Sequence, residues 1–124
     1  MKLAIVGSRS FTDYGYLKKS LLEFICEFPN NYYGKSINIT EVVSGGAEGA
    51  DKLAERWAID LDIALKIFYP DWNKYGKAAG PIRNKQIIDY CDILIAFWDK
   101  KSKGTWNSID LALKQNKLGQ IFYI

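Results

Sequence analysis

Ile39-Thr40-Glu41-Val42-Val43-Ser44-Gly45-Gly46-Ala47-Glu48-Gly49-Ala50-Asp51-Lys52-Leu53-Ala54 decides the fold of this chain. Ile39 to Val43 is rich in β-branched residues and reads as a strand. Three glycines then turn the chain. Ala50, Leu53, Ala54, Trp57, Ala58 and Leu61 recur at the spacing of one helical face, so a helix starts inside the glycine motif. A strand that runs through a tight turn into a helix is half of a crossover unit, which implies parallel strands.

The same alternation extends in both directions. Leu3 to Val6 is a short apolar run ending in Gly7, as expected of a strand buried on both faces. A helix is expected from near Asp13, with Leu17, Leu21, Leu22, Phe24, Ile25 and Phe28 on its apolar face, ended by Pro29-Asn30-Asn31. Tyr32 to Asn38 reads as a loop. Ile63 to Tyr69 forms the third strand, stopped by Pro70, and Pro70 to Gly80 is polar and turn-rich. Pro81 is placed as the first residue of a helix reaching about Tyr90. Ile93 to Phe97 is the fourth strand. A last helix is expected from Trp106 to Asn116, with Gly119 breaking it before a closing strand, Gln120 to Ile124. This pattern predicts one α/β domain over residues 1–124, a parallel sheet covered by helices on both faces.

Composition narrows the chemistry. A net charge of +3 suits an anionic ligand but falls short of a dedicated duplex binder, so nucleic acid is not the expected partner. Histidine is absent, which removes Ser-His-Asp and Cys-His mechanisms. Cys26 and Cys91 show no metal or disulfide spacing and are expected as reduced core residues. No zinc site, cofactor or other metal is expected. With no leader-like N-terminus and no apolar run of membrane-spanning length, the expected location is the cytoplasm.

Seven of the ten glycines, at 7, 45, 46, 49, 76, 80 and 104, fall in four segments that each follow a strand. In a parallel sheet these segments meet at the carboxyl edge, where ligands of open α/β sheets bind. Ser44 to Asp51 could present the amides of a first helical turn to phosphate, or its glycines could only permit close packing. The spacing is neither G-x-G-x-x-G nor a Walker loop. Ser8 offers a hydroxyl, and Arg9 either holds phosphate bidentately or is a surface arginine. Asp51 is either a helix cap or a ribose contact. Tyr69, Trp72, Tyr75, Trp98 and Trp106 could stack on a nucleobase or fill a dimer interface. Asp99, past the end of the fourth strand, points toward ligand, and Lys100, Lys101 and Lys103 beside it form a basic run that either meets phosphate or, more commonly for such runs, is a solvated loop.

Gly7-Ser8-Arg9, Ser44-Gly45-Gly46-Ala47-x-Gly49-Ala50-Asp51, Gly80-x-x-Arg83-Asn84 and Phe97-Trp98-Asp99-x-x-Ser102-x-Gly104-Thr105 together resemble the small YspA-like branch of the SLOG superfamily. The resemblance implies a Rossmann-like three-layer sandwich with its five strands ordered 3-2-1-4-5, binding of a nucleotide or nucleotide derivative, and a homodimer. Gly45, Gly46, Ala47 and Gly49 would cradle phosphate, flanked by Ser8 and Arg9. Arg83 would pair with phosphate or ribose, and Asp99 with Thr105 would close the site. Gly7, Ser44, Asn84, Ser102 and Gly104 complete the expected contacts, with Trp72 and Trp98 beside them.

The superfamily also contains the lonely-guy phosphoribohydrolases and the DNA-processing protein. Arg83 and Asp92 keep the nine-residue spacing of the phosphoribohydrolases. The glutamates those enzymes carry just after their Gly-Thr are replaced here by Asn107 and Ser108. The leading expectation is therefore a sensor, carrier or sequestering module. A nucleotide hydrolase with Arg83 and Asp99 as its working pair comes second, and single-stranded nucleic-acid binding third.

Overall fold

The computed structural model describes residues 1–31 and 38–124. Apart from Asn38, the loop expected over Tyr32 to Asn38 lies outside them. The strands β1 (Lys2–Gly7), β2 (Glu41–Ser44), β3 (Ala64–Ile67), β4 (Ile93–Trp98) and β5 (Leu118–Tyr123) form one sheet in the order β3-β2-β1-β4-β5. Every neighbouring pair is parallel, and the order is the one the resemblance implies. Between the strands run α1 (Tyr14–Asn31), α2 (Ala50–Asp60), α3 (Trp72–Tyr75), α4 (Ala79–Tyr90) and α5 (Lys103–Lys114).

Strand periodicity divides the core into two layers. Leu3 and Ile5 of β1 and Ile95 and Phe97 of β4 pack with Leu17 and Leu21 of α1 and Ala54 and Trp57 of α2. The alternate residues Ala4, Val6, Leu94 and Ala96 pack with Ile87 and Ile88 of α4 and Ile109 and Ala112 of α5. Side chains of successive strand residues point to opposite faces, so an unbroken apolar run feeds both layers. Each fully buried Leu or Ile stabilises the fold by about 1.5–3 kcal/mol. No helix among the described residues is long and apolar enough to cross a membrane.

Five details differ from the expected elements. The Pro70–Gly80 segment holds α3, whose N-terminus is capped by Asp71 accepting from the Lys74 amide at 3.1 Å, and a 3-10 turn over Gly76–Ala78. Pro81 is consequently the third residue of α4, still within the first turn where its missing N–H costs nothing. Helix α5 starts at Lys103, because Asp99 holds the Lys101 and Ser102 amides and directs the chain into the helix early; Gly104 and Thr105 thus belong to its first turn. That helix stops at Lys114 with Asn116 in the left-handed region at φ 54°, while Gly119 sits inside β5. There the register slips, Leu94 pairing with Leu118 but Ile95 with Gln120. Finally, Cys91 is buried as expected but Cys26 is exposed on α1, outside its apolar stripe.

Candidate functional site

Strand β1 lies between β2 and β4, and the chain leaves it for α1 on one face of the sheet, whereas α4 and α5 cover the other. Where connections diverge to opposite faces, the carboxyl ends of neighbouring strands leave a crevice. A cleft of about 490 Å³ occupies that place.

Four segments line it. Gly7, Ser8, Arg9 and Ser10 come from the end of β1, and Ala47 and Asp51 from the glycine segment and α2. Arg83, Asn84 and Ile87 project from one face of α4, while Ser102, Gly104, Thr105 and Ser108 come from the first turns of α5, with Lys103 at the rim. Val6 and Ile87 give the cleft an apolar floor. Ser44, Gly45, Gly46, Gly49, Trp72, Trp98 and Asp99, all expected in the site, lie outside this lining.

The glycine segment is tied to its own surroundings. The Gly46 amide donates to Ser44 Oγ at 3.2 Å and the Ala47 amide to Asp51 Oδ2 at 3.1 Å, while the Ser44 hydroxyl donates to Glu55 at 2.9 Å. The Ala50 amide bonds the Ser8 carbonyl at 3.2 Å, clamping the start of α2 against the β1 loop. Gly49 has φ 80°, and a Cβ there would collide with the carbonyl oxygens of Ser8 and Arg9. Only a glycine satisfies both conditions.

Arg83 and Asp51 are the charged centre. Arg83 is 9% exposed; its Nε donates to Asn84 Oδ1 at 3.0 Å and its Nη1 to the Gly45 carbonyl. No ion pair to Arg83 exists among the described residues. Burial lowers its pKa, opposed by the charge of Asp51 and reinforced by Arg9. Asp51 is 6% exposed, and burial pushes its pKa up to about 6 in spite of the Ala47 amide and the Arg83 guanidinium; the nearby Glu55 adds to the rise. Asn84 ties α4 to α5, donating to Asn107 Oδ1 at 3.0 Å and to the Gly104 carbonyl at 3.4 Å.

Asp99 has the opposite character. It accepts from the amides of Ser102 at 2.7 Å and Lys101 at 2.8 Å, and from the hydroxyls of Ser8 at 3.1 Å and Ser102 at 3.2 Å. The two amides, then the two hydroxyls, hold its pKa down to about 2. This carboxylate shapes the loop between β4 and α5. Thr105 differs again: it is 6% exposed, lines the cleft, and its hydroxyl has no hydrogen-bond partner among the described residues.

The aromatic residues expected as one cluster form two groups. Trp98 turns its indole N–H to the Ser102 carbonyl at 3.1 Å and stacks on Trp106. Tyr69 and Trp72, 65% and 51% exposed, stand on the β3 side, Tyr69 with its ring across Gly46. Sequence reasoning missed Val6, Ser10 and Ile87 as cleft residues, and met Ser108 only as a position where the phosphoribohydrolases carry a glutamate. Helical spacing would have found two of them, since Ile87 lies four residues after Arg83 and Ser108 three after Thr105.

A β3-β2-β1-β4-β5 sheet with a polar, arginine-bearing cleft at its switch point defines a Rossmann-like α/β domain. The chain belongs to the YspA, cpYpsA-related SLOG family, whose sequence profile matches residues 1–75. That match includes the β1 loop and the glycine segment and ends before Arg83 and Thr105. The chain is 32% identical over 110 residues to the Gene 61 protein of Mycobacterium phage D29, covering 84% of this chain and 82% of that protein. Among solved structures it is similar to DNA processing protein A of Helicobacter pylori, described for its single-stranded DNA binding mode, with TM-score 0.65 and 25% identity over 99% of this chain. It also resembles DprA of Streptococcus pneumoniae, with TM-score 0.66 and 21% identity over 98% of this chain. It spans 64% and 49% of those two chains.

The Helicobacter protein corrects one expectation. A net charge of +3 argues against nucleic acid as the partner, yet a protein of the same fold across nearly this whole chain binds single-stranded DNA. The physical reason is that single strands are held by a few cations together with stacked bases, without the charge density a duplex demands.

Proposed function

We propose that the cleft binds the phosphate of a nucleotide or nucleotide derivative, and that the protein acts as a binding module and not as a rapid hydrolase. One observation carries this reading: Arg83 is nine-tenths buried, pairs with no carboxylate among the described residues, and lines the same cleft as Arg9, Lys103 and the unpartnered Thr105 hydroxyl. Arg83 is held by the Gly45 carbonyl and Asn84 and feels the charge of Asp51, but a guanidinium buried without an ion pair favours an anion in the cleft beside it. The Arg83 Nη2 donates to nothing among the described residues and suits a phosphate oxygen, and the first turn of α5 adds a positive dipole end. Membership of the SLOG family supports a nucleotide-related ligand.

Asp99 supports binding over hydrolysis. A carboxylate with four donors and a pKa near 2 is a poor proton acceptor at neutral pH. A second reading, in which the phosphate belongs to a single-stranded nucleic acid, is favoured by the likeness to the Helicobacter protein.

Calorimetric titration with AMP, GMP, dTMP and the oligonucleotide dT8 tests both. Micromolar binding of a nucleotide by wild type, weakened about tenfold or more in Arg9→Gln, is the expected result. Absence of binding by all four ligands, or equal affinity in the variant, refutes the cleft as the phosphate site. A steep loss of dT8 affinity between 50 and 200 mM salt, beside weak mononucleotide binding, selects the second reading.

A further inference from the structure

Trp106 follows Thr105 in α5 but takes no part in the cleft lining. Its ring stacks on Trp98 with centroids 5.4 Å apart and planes 28° from parallel, and Tyr123 lies 6.3 Å from Trp98. Trp106 and Tyr123 are 46% and 53% exposed. Aromatic rings bury more apolar area than any other side chains, so two of them open to water beside a third mark an interaction surface.

The charge around the rings narrows the partner. Lys100 Nζ lies 4.8 Å from the centroid of Tyr123, and neither it nor Lys101 nor Lys103 forms an ion pair among the described residues. The surface is also mechanically joined to the cleft. Trp98 donates to the Ser102 carbonyl, Ser102 lines the cleft, and Asp99 pins the intervening turn through two amides.

We propose that Trp98, Trp106 and Tyr123 form a stacking shelf for the bases of a single-stranded oligonucleotide whose phosphate occupies the cleft. This rests on the reading of the cleft as a phosphate site. Half-exposed rings, one of them under Lys100, flanked by lysines that form no ion pair among the described residues match a strand with exposed bases and a negative backbone. A duplex hides its base faces, and a second copy of this chain brings the same positive charges to the contact.

The experiment compares dT8 with dTMP on wild type, Trp106→Ala, Trp106→Phe and Tyr123→Ala by fluorescence anisotropy and calorimetry, with melting curves for each variant. Stacking of one base is worth about 1–3 kcal/mol by alanine substitution, so dT8 affinity is expected to fall about 5- to 150-fold in Trp106→Ala. Tyr123→Ala should weaken dT8 in the same direction, Trp106→Phe should retain most of the affinity, and dTMP should bind all four proteins alike. Unchanged dT8 affinity in a folded Trp106→Ala or Tyr123→Ala overturns the shelf and leaves the phosphate site standing. Loss of self-association in Trp106→Ala with dT8 affinity intact assigns the surface to a second copy and also overturns it. Wild type binding neither ligand overturns the shelf and the cleft together.

Discussion

Two strand-to-helix turns stand at the same edge of the sheet and use their glycines in opposite ways. Ser44 to Asp51 contains three glycines, yet the Gly46 and Ala47 amides are taken by its own Ser44 and Asp51 side chains, and Gly49 is pressed against the β1 loop. Asp99 to Thr105 contains one glycine, and a Cβ at Gly104 would meet nothing within 4 Å. The carboxylates follow the same division. Burial among α2, α4 and the glycine segment raises Asp51 to about 6, while donors in the open loop hold Asp99 at about 2. The glycines of the first turn thus mark where backbones pack closely, whereas the glycine of the second borders an open cleft.

The strongest way to break this contrast is Gly49→Ala. Positive φ and the collision with two carbonyl oxygens should cost about 3 kcal/mol or more, lowering Tm by about 10–15 °C. A melting curve within a few degrees of wild type would show that the clamp between α2 and the β1 loop is loose.

Asp51 gives the next largest effect. Its folded-state pKa is raised, so the native state holds the proton more tightly than the unfolded chain. The associated stability is fully present below the unfolded value of 3.8 and is lost as pH rises through about 6. Relative to Asp51→Asn, which cannot ionise, wild type should lose about 2–3 kcal/mol between pH 4 and pH 7. Denaturant titrations showing a pH-independent difference between the two proteins would place Asp51 in a solvated setting. Asp99 runs the other way: its depressed pKa contributes stability that is lost as pH falls from 3.8 through about 2.

Smaller, and specific to the second turn, is Thr105→Val. Its hydroxyl bonds nothing among the described residues, so Tm should hold within about 2 °C while nucleotide affinity falls about tenfold. A drop in Tm with affinity retained would make Thr105 a structural residue. Gly104→Ala should have the least effect on stability, a gain of up to about 0.5–1 kcal/mol from reduced backbone freedom in the first turn of α5. Destabilisation on the scale of Gly49→Ala would erase the distinction between the turns.

Much of the fold was legible because it rests on local period. The continuous apolar runs at Leu3–Val6 and Ile93–Phe97 and the helical spacing from Ala50 identify strands buried on both faces and the helices that cover them. Element boundaries were less legible. Lys103 begins α5 early because Asp99 holds two amides, and Asn116 ends it because an asparagine adopts the left-handed conformation there, neither of which periodicity contains. Within the site, Ser8, Arg9, Ala47, Asp51, Arg83, Asn84, Ser102, Gly104 and Thr105 were legible and do converge on the cleft, whereas Trp72 and Trp98 do not.

By itself the sequence determined the alternation of strands and helices, the parallel sheet and the edge at which polar and glycine residues gather, because short-range period and turn chemistry are written residue by residue. Tertiary structure alone decided which groups are already spent. Ser44 reaches Glu55, Asp99 collects four donors, and Arg83 forms no ion pair among the described residues, through contacts between residues as far apart as Ser8 and Asp99. Hydrogen bonds and burial depend on three-dimensional proximity, which residue spacing along the chain does not contain.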